Sequence, residues 1–201
     1  MVGHSYVRRL KEYRENGHVP GKNEKIVSVD GVTMALSYVY RGGRGYEYFN
    51  SSDQHKVDII ESKPDIILVI LGGNGVSSGK GIPLVSAEMR KFHVWLREAC
   101  PGAITIAAEC EPRYDLNPHD TGDDVQESHW ERRNAFNLAV GRMLKKGKCD
   151  YVLRIAKYLN CRKFYDKLGV HLNNRGNRFY WGLVKETLAG AVEKYRLGNR
   201  D

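Results

Sequence analysis

The side chains best placed to do chemistry in this chain stand beside glycines. Ile66 to Leu71 is an unbroken apolar run that stops at Gly72-Gly73-Asn74-Gly75. The run is rich in β-branched residues and too short to show a helical period. It reads as a strand apolar on both faces, as in a parallel sheet covered by helices. In such sheets chemistry sits in the crevice at the carboxyl ends of the strands, which is where Asn74 falls. A strand running into a glycine-rich loop with Gly79-Lys80 also suggests a phosphate-binding P-loop. That motif needs glycine five residues before the Gly-Lys pair and Ser or Thr after it. The chain has Asn74 and Gly81 there, so the P-loop fails at both positions. A plain turn, with Asn and Gly tolerating positive φ, is the simpler alternative for Asn74. Ser5 opens a helix after Gly3-His4, where a helix cap is the commonest role for serine. His171, one of seven histidines, stands in Gly169-Val170-His171-Leu172-Asn173 and could be a satisfied surface residue. Arg113 follows Glu111-Pro112 after a strand and faces the same crevice. It could bind an anionic substrate group or simply pair with the acids between Asp115 and Asp124.

The elements that must position these residues alternate along the chain. Tyr6, Leu10 and Tyr13 give residues 5–16 a helical stripe. Ile26 to Val29 is a short strand, and Val32 to Tyr40 a second that ends at Arg41-Gly42-Gly43. A helix is expected near Ser52 to Ser62, closed off by Pro64 ahead of the apolar strand. Pro83 suits the start of a helix that continues from Leu84 to Ala99. Ala103 to Ala108 is a strand, followed by a long polar loop from Glu111 to Gln126. Glu127 to Lys145 is a helix, Tyr151 to Ile155 the last strand, and Phe179 to Tyr195 the closing helix, with a polar segment around His171 between them. Helix and strand in alternation argue for one α/β domain over residues 1–201. The architecture expected is a three-layer α/β/α sandwich with a mostly parallel, flavodoxin-like sheet and right-handed crossovers.

Composition narrows the function classes. The chain has 201 residues, 41% hydrophobic and 28% charged, which is ordinary for a globular domain. No apolar run approaches the roughly 20 residues that span a bilayer. The first residues do not read as a signal peptide, so a cytoplasmic location is expected. Cys100, Cys110, Cys149 and Cys161 show no C-x-x-C spacing, which argues for reduced thiols and against a zinc site. The formal charge is +8, with a pI near 9.3. That favours anionic partners, nucleic acid among them, without selecting one.

Four glycine-bearing blocks follow one another: Gly3-His4-Ser5, Gly42-Gly43, Gly72-Gly73-Asn74 and Gly169-Val170-His171-Leu172-Asn173. In this order they resemble the SGNH hydrolases, the GDSL-type esterases and lipases, over nearly the whole chain. The Gly-His-Ser opening followed by Arg-Arg-Leu, with the Gly-Val-His-Leu-Asn ending, is also similar to SGNH domains of metazoan retrotransposon-like elements. The resemblance implies a serine hydrolase that cleaves carboxylic esters, acetyl or short acyl, with no metal or organic cofactor. Ser5 would be the nucleophile and His171 the base. The oxyanion donors would be the Ser5 N–H, the Gly43 (or Gly42) N–H and the Asn74 side chain. Three departures stand out. His4 replaces the family's usual acidic residue in the first block. Leu168 occupies the usual place of the acid behind the histidine, with Asp166 two positions away. Only Met1 and Val2 precede Gly3, so the first strand is expected to be truncated. The last two departures and the charge support a second reading, an inactive SGNH-like domain that binds RNA or DNA through its basic surface.

Overall fold

The computed structural model describes residues 1–15, 26–29, 31–114 and 123–198. Residue 16, where the first helical stripe is expected to end, and most of the polar loop after Tyr114 lie outside the described residues. Five parallel strands form the central sheet: β1 (Val2–Gly3), β4 (Val39–Tyr40), β5 (Ile66–Ile70), β6 (Ile104–Ala108) and β7 (Tyr151–Leu153), in the order β4-β1-β5-β6-β7. The remaining two, β2 (Ile26–Val29) and β3 (Val32–Ala35), make a separate antiparallel hairpin. With the hairpin set aside, the sheet order is 2-1-3-4-5, the flavodoxin-like arrangement that the sequence leads one to expect.

The strand β5 explains the layering. Ile67 to Leu71 are no more than 2% exposed. Successive side chains leave opposite faces of a strand. Leu68 and Ile70 therefore enter one core, with α1 (Ser5–Glu15) and α7 (Asn174–Gly198). Ile67, Val69 and Leu71 enter the other, with α2 (Tyr46–Ser51), α3 (Asp53–Glu61), α5 (Ile82–Ala99) and α6 (Asp123–Lys145). Each such apolar side chain contributes roughly 1.5–3 kcal/mol when fully buried.

Two expectations need correction. Val32 to Tyr40 is not one strand. Val32–Ala35 pairs back on β2, and only Val39–Tyr40 joins the sheet. The expected helix from Ser52 to Ser62 is preceded by a second, short helix at Tyr46–Ser51. The first strand is short, as expected, yet paired on both sides: Val2 lies opposite Val39 and Val69, and Gly3 opposite Tyr40 and Ile70. Gly3 permits this closeness, since a methyl group there would meet the Ile70 carbonyl oxygen at 2.5 Å and collide with Val7. Among the described residues no helix is long and apolar enough to cross a membrane.

Candidate active site

In a sheet of this order the switch point lies between β1 and β5, where chains leave to opposite faces and open a crevice. Ser5 begins α1 directly after β1. Gly73 and Asn74 begin the short helix α4 (Gly73–Ser77) directly after β5. Gly72 makes the intervening turn at φ +132°, a conformation that L residues rarely adopt, and a methyl group there would strike the Phe136 ring. The turn is thus needed to bring Asn74 to the crevice. Lys80, the P-loop candidate, pairs with Glu47 at the surface instead.

Asn74 is held at both ends of its amide. Nδ2 donates to the Arg44 carbonyl oxygen at 3.0 Å, and Oδ1 accepts from Arg113 Nη2 at 3.0 Å. A guanidinium can only donate, so the oxygen must face Arg113 and the NH2 must face the loop. One of its two hydrogens remains for another acceptor. The Arg41 N–H donates to the Gly3 carbonyl at 3.1 Å, which ties the loop of Gly42, Gly43 and Arg44 to the end of β1. Gly43 has φ +71°, and both glycines are exposed.

His171 arrives from the far side of the sheet. Asn173 caps α7, its Oδ1 accepting from the Gly176 N–H at 3.0 Å, so the closing helix begins earlier than Phe179. Just before it, residues 165–172 fold back as a hairpin. Tyr165 bridges to Leu172, and the Asp166 N–H donates to the His171 carbonyl at 2.7 Å. Directly opposed residues of an antiparallel pair share one face, with Cβ atoms about 5 Å apart. Asp166 and His171 are such a pair, although five positions separate them. Asp166 Oδ1 and His171 Nδ1 are both buried, without a hydrogen-bond partner among the described residues. Sequence distance alone therefore does not exclude Asp166 as the acid, and among the described residues no hydrogen bond joins its carboxylate to His171. Leu168 sits in its loop, 70% exposed.

The Tyr6 hydroxyl donates to the Val170 carbonyl at 2.7 Å, and its ring lies 5.7 Å from that of His171. The histidine loop is thereby held against the residue next to Ser5. Ser5 Oγ itself lies 3.4 Å from His4 Nδ1, and among the described residues no hydrogen bond joins it to His171.

The sequence reading missed the buried polar groups behind the crevice. A methyl group on Gly73 would sit 3.2 Å from Arg113 Nη2 and 3.6 Å from both Glu111 Oε2 and His4 Nε2. His4 is fully buried, and Glu111 nearly so. Among the described residues His4 Nε2 and Glu111 Oε1 have no hydrogen-bond partner. Burial, then the charges of Arg113 and His171, lower the His4 pKa to about 3. Burial pushes Glu111 up to about 7, against its own backbone N–H and Arg113. Burial and Arg9 lower His171 to about 4, with Asp166 opposing. The one signal available in sequence was an acidic, arginine-bearing stretch, Glu109 to Arg113, directly after a strand.

No protein-family model matches the chain, and no curated protein resembles it in sequence. Solved structures do match over almost its full length. A carbohydrate esterase family 3 protein from Talaromyces cellulolyticus superposes with a TM-score of 0.67 at 15% identity, covering 96% of this chain and 97% of that one. An acetyl esterase serine-to-alanine mutant with acetate ion gives 0.66 at 13% identity, covering 96% and 97%. A GDSL-like lipase from Bacteroides thetaiotaomicron gives 0.62 at 14% identity, covering 96% and 86%. The chain shares its α/β fold with these esterases and the GDSL-like lipase. At these identities the likeness speaks for the fold alone, and the chemistry must be argued from this chain's own residues.

Proposed function

We propose that the protein is a serine hydrolase that cleaves carboxylic esters, acetyl or short acyl, through an acyl-enzyme on Ser5. The observation that carries the reading is the oriented amide of Asn74 across the switch-point crevice from Ser5. Its free N–H is the kind of preset donor that an oxyanion needs, and such a donor is typically worth about 3 kcal/mol of barrier. The Ser5 and Gly43 backbone N–H groups complete the set. Ser5 Oγ attacks the acyl carbon while its proton passes to His171 Nε2, and the carbonyl oxygen becomes the bound oxyanion. The tetrahedral species collapses, and the leaving alkoxide takes the proton from His171. Water then attacks the acyl-enzyme by the same route, releasing the acid and restoring Ser5. This sequence requires Ser5 Oγ to turn from His4 towards His171, a change in side-chain rotamer.

Asp166 takes the acid's place in this scheme. Opposite His171 in the hairpin, its carboxylate turns to accept from the now unpartnered Nδ1–H and steadies the imidazolium that forms. Arg113 acts on Asn74 rather than on substrate. His171, with its pKa near 4, is neutral at pH 7 and ready to accept a proton. The Gly-His-Ser opening and Gly-Val-His-Leu-Asn ending support a place among SGNH domains of retrotransposon-like elements. A nucleic-acid partner is compatible with this chemistry, because the charge of +8 favours anions without requiring the Ser5 site. The decisive test is turnover of p-nitrophenyl acetate by purified protein. Activity that Ser5→Ala abolishes is expected, and equal rates for the two proteins would sink the mechanism.

A further inference from the structure

Between β7 and the first turns of α7 the surface changes character. From Lys157 to Arg178 the exposed cations are Lys157, Arg162, Lys163, Lys167, Arg175 and Arg178, against a single acid, Asp166, which is half-buried. Aromatic rings lie among them. Tyr158 is 46% and Phe179 39% exposed. Phe179 stacks on Phe164, with centroids 5.3 Å apart and planes at 13°, and lies 6.4 Å from Tyr158. Cations flank each end of this row. Lys157 Nζ is 5.6 Å from the Tyr158 ring, and Lys163 Nζ and the Arg175 guanidinium carbon are 5.4 and 5.8 Å from Phe164. Lys163 and Arg175 also line an open cavity of about 650 Å³ together with Arg9 and Asp166.

We infer that this patch binds single-stranded nucleic acid, with Tyr158 and Phe179 as a stacking platform and Lys157, Lys163 and Arg175 contacting the phosphates. Two independent features select this partner. The charge suits any polyanion, but exposed rings offer nothing to a phosphate; they suit unpaired bases, every one of which has a face to stack. A duplex keeps its bases stacked inside, and the carboxylates of an acidic peptide gain nothing from a ring; an anionic membrane, whose interface does accept rings, enters the test as a competitor. The inference does not depend on hydrolysis at Ser5, since the platform residues belong to none of the groups assigned there.

Fluorescence anisotropy with a labelled oligouridylate of about twenty nucleotides tests it, with the matching duplex and phosphatidylserine vesicles as competitors. All substituted residues are exposed, and unchanged thermal melting checks that each variant is folded. Wild-type protein should bind, and its affinity should fall with salt at about −0.7 in log–log slope per phosphate contacted. Lys157→Gln, Lys163→Gln and Arg175→Gln together should reduce that slope by about 2. Tyr158→Ala with Phe179→Ala should weaken binding about five-fold or more at unchanged slope. The inference is overturned if the oligonucleotide does not bind at roughly 50 mM salt. It is equally overturned if the aromatic variant binds like wild type, or if duplex or vesicles compete as well as the single strand does.

Discussion

Replacing Glu111 by glutamine should stabilise the protein at alkaline pH and leave it unchanged in acid. Glu111 is 3% exposed, with one carboxylate oxygen unpaired among the described residues. Burial raises its pKa from 4.5 to about 7, and Arg113 only partly opposes this. A folded-state pKa above the unfolded one means that the folded form holds the proton more tightly. The stability this confers is complete below about pH 4.5 and is lost as pH rises through about 7. At about 1.4 kcal/mol for each tenfold change in proton affinity, the loss approaches about 3 kcal/mol by pH 8. Glutamine keeps the shape and never ionises, so it escapes the loss. The buried histidines pull the other way. His4 near 3, with His93 and His129 near 4, stay neutral in the folded protein, which therefore weakens as pH falls below about 6.5. That slope is common to both proteins and cancels in their difference. Urea unfolding of wild type and Glu111→Gln at several pH values between about 4 and 8 supplies the difference. A gap near zero at acid pH, growing to a few kcal/mol at pH 8, is expected. A gap independent of pH would refute the assignment of Glu111 as a buried, pH-dependent strain on the fold.

The site makes further demands. The kcat/KM for ester hydrolysis should rise with pH through about 4, where His171 loses its proton, and stay level across neutral pH; a midpoint near 6.5 would mean that His171 is solvated or is not the base. Asp166→Asn should lower kcat by at least about a hundredfold with KM little changed, whereas Leu168→Ala, at an exposed loop position, should leave both unchanged. Asn74→Ala should cost about 100- to 1,000-fold in kcat. Arg113→Met should also lower kcat by freeing the amide, and adding Arg113→Met to Asn74→Ala should cost little more; additive losses in that double-mutant cycle would show that Arg113 acts elsewhere.

What could be read in advance was local. The strand β5 announced itself because burial on both faces requires an unbroken apolar run. The glycine turns announced themselves because Gly43, Gly72 and Gly169 take positive φ, which other residues rarely adopt. The split of Val32–Tyr40 was hidden, since Leu36, Tyr38 and their neighbours continue the same alternation whether the chain runs on or turns back. The buried state of His4 and Glu111 was hidden for a different reason. Neither lies in an apolar pattern, and each is covered only when β1, β5 and β6 come side by side.

Asp166, the acid proposed to act behind His171, shows the same limit most sharply. Counting along the chain puts Leu168 in the expected place and Asp166 outside it. Counting is valid only if the segment keeps the local conformation in which three positions separate neighbours. Here the backbone bonds from Asp166 to His171 and from Asn173 to Phe164 fix an antiparallel pair, in which neighbours are set by the turn rather than by sequence distance. Leu168 is displaced to solvent by the same geometry that brings Asp166 across from the imidazole. Gly169, at φ +67° and donating to the Asp166 carbonyl at 3.0 Å, closes that turn. A longer side chain at 169 would therefore disturb the pairing of Asp166 with His171 without touching either residue. The position of Asp166 is a property of the turn, and under the proposed mechanism changes there should affect kcat through Asp166 before they affect the stability of the sheet.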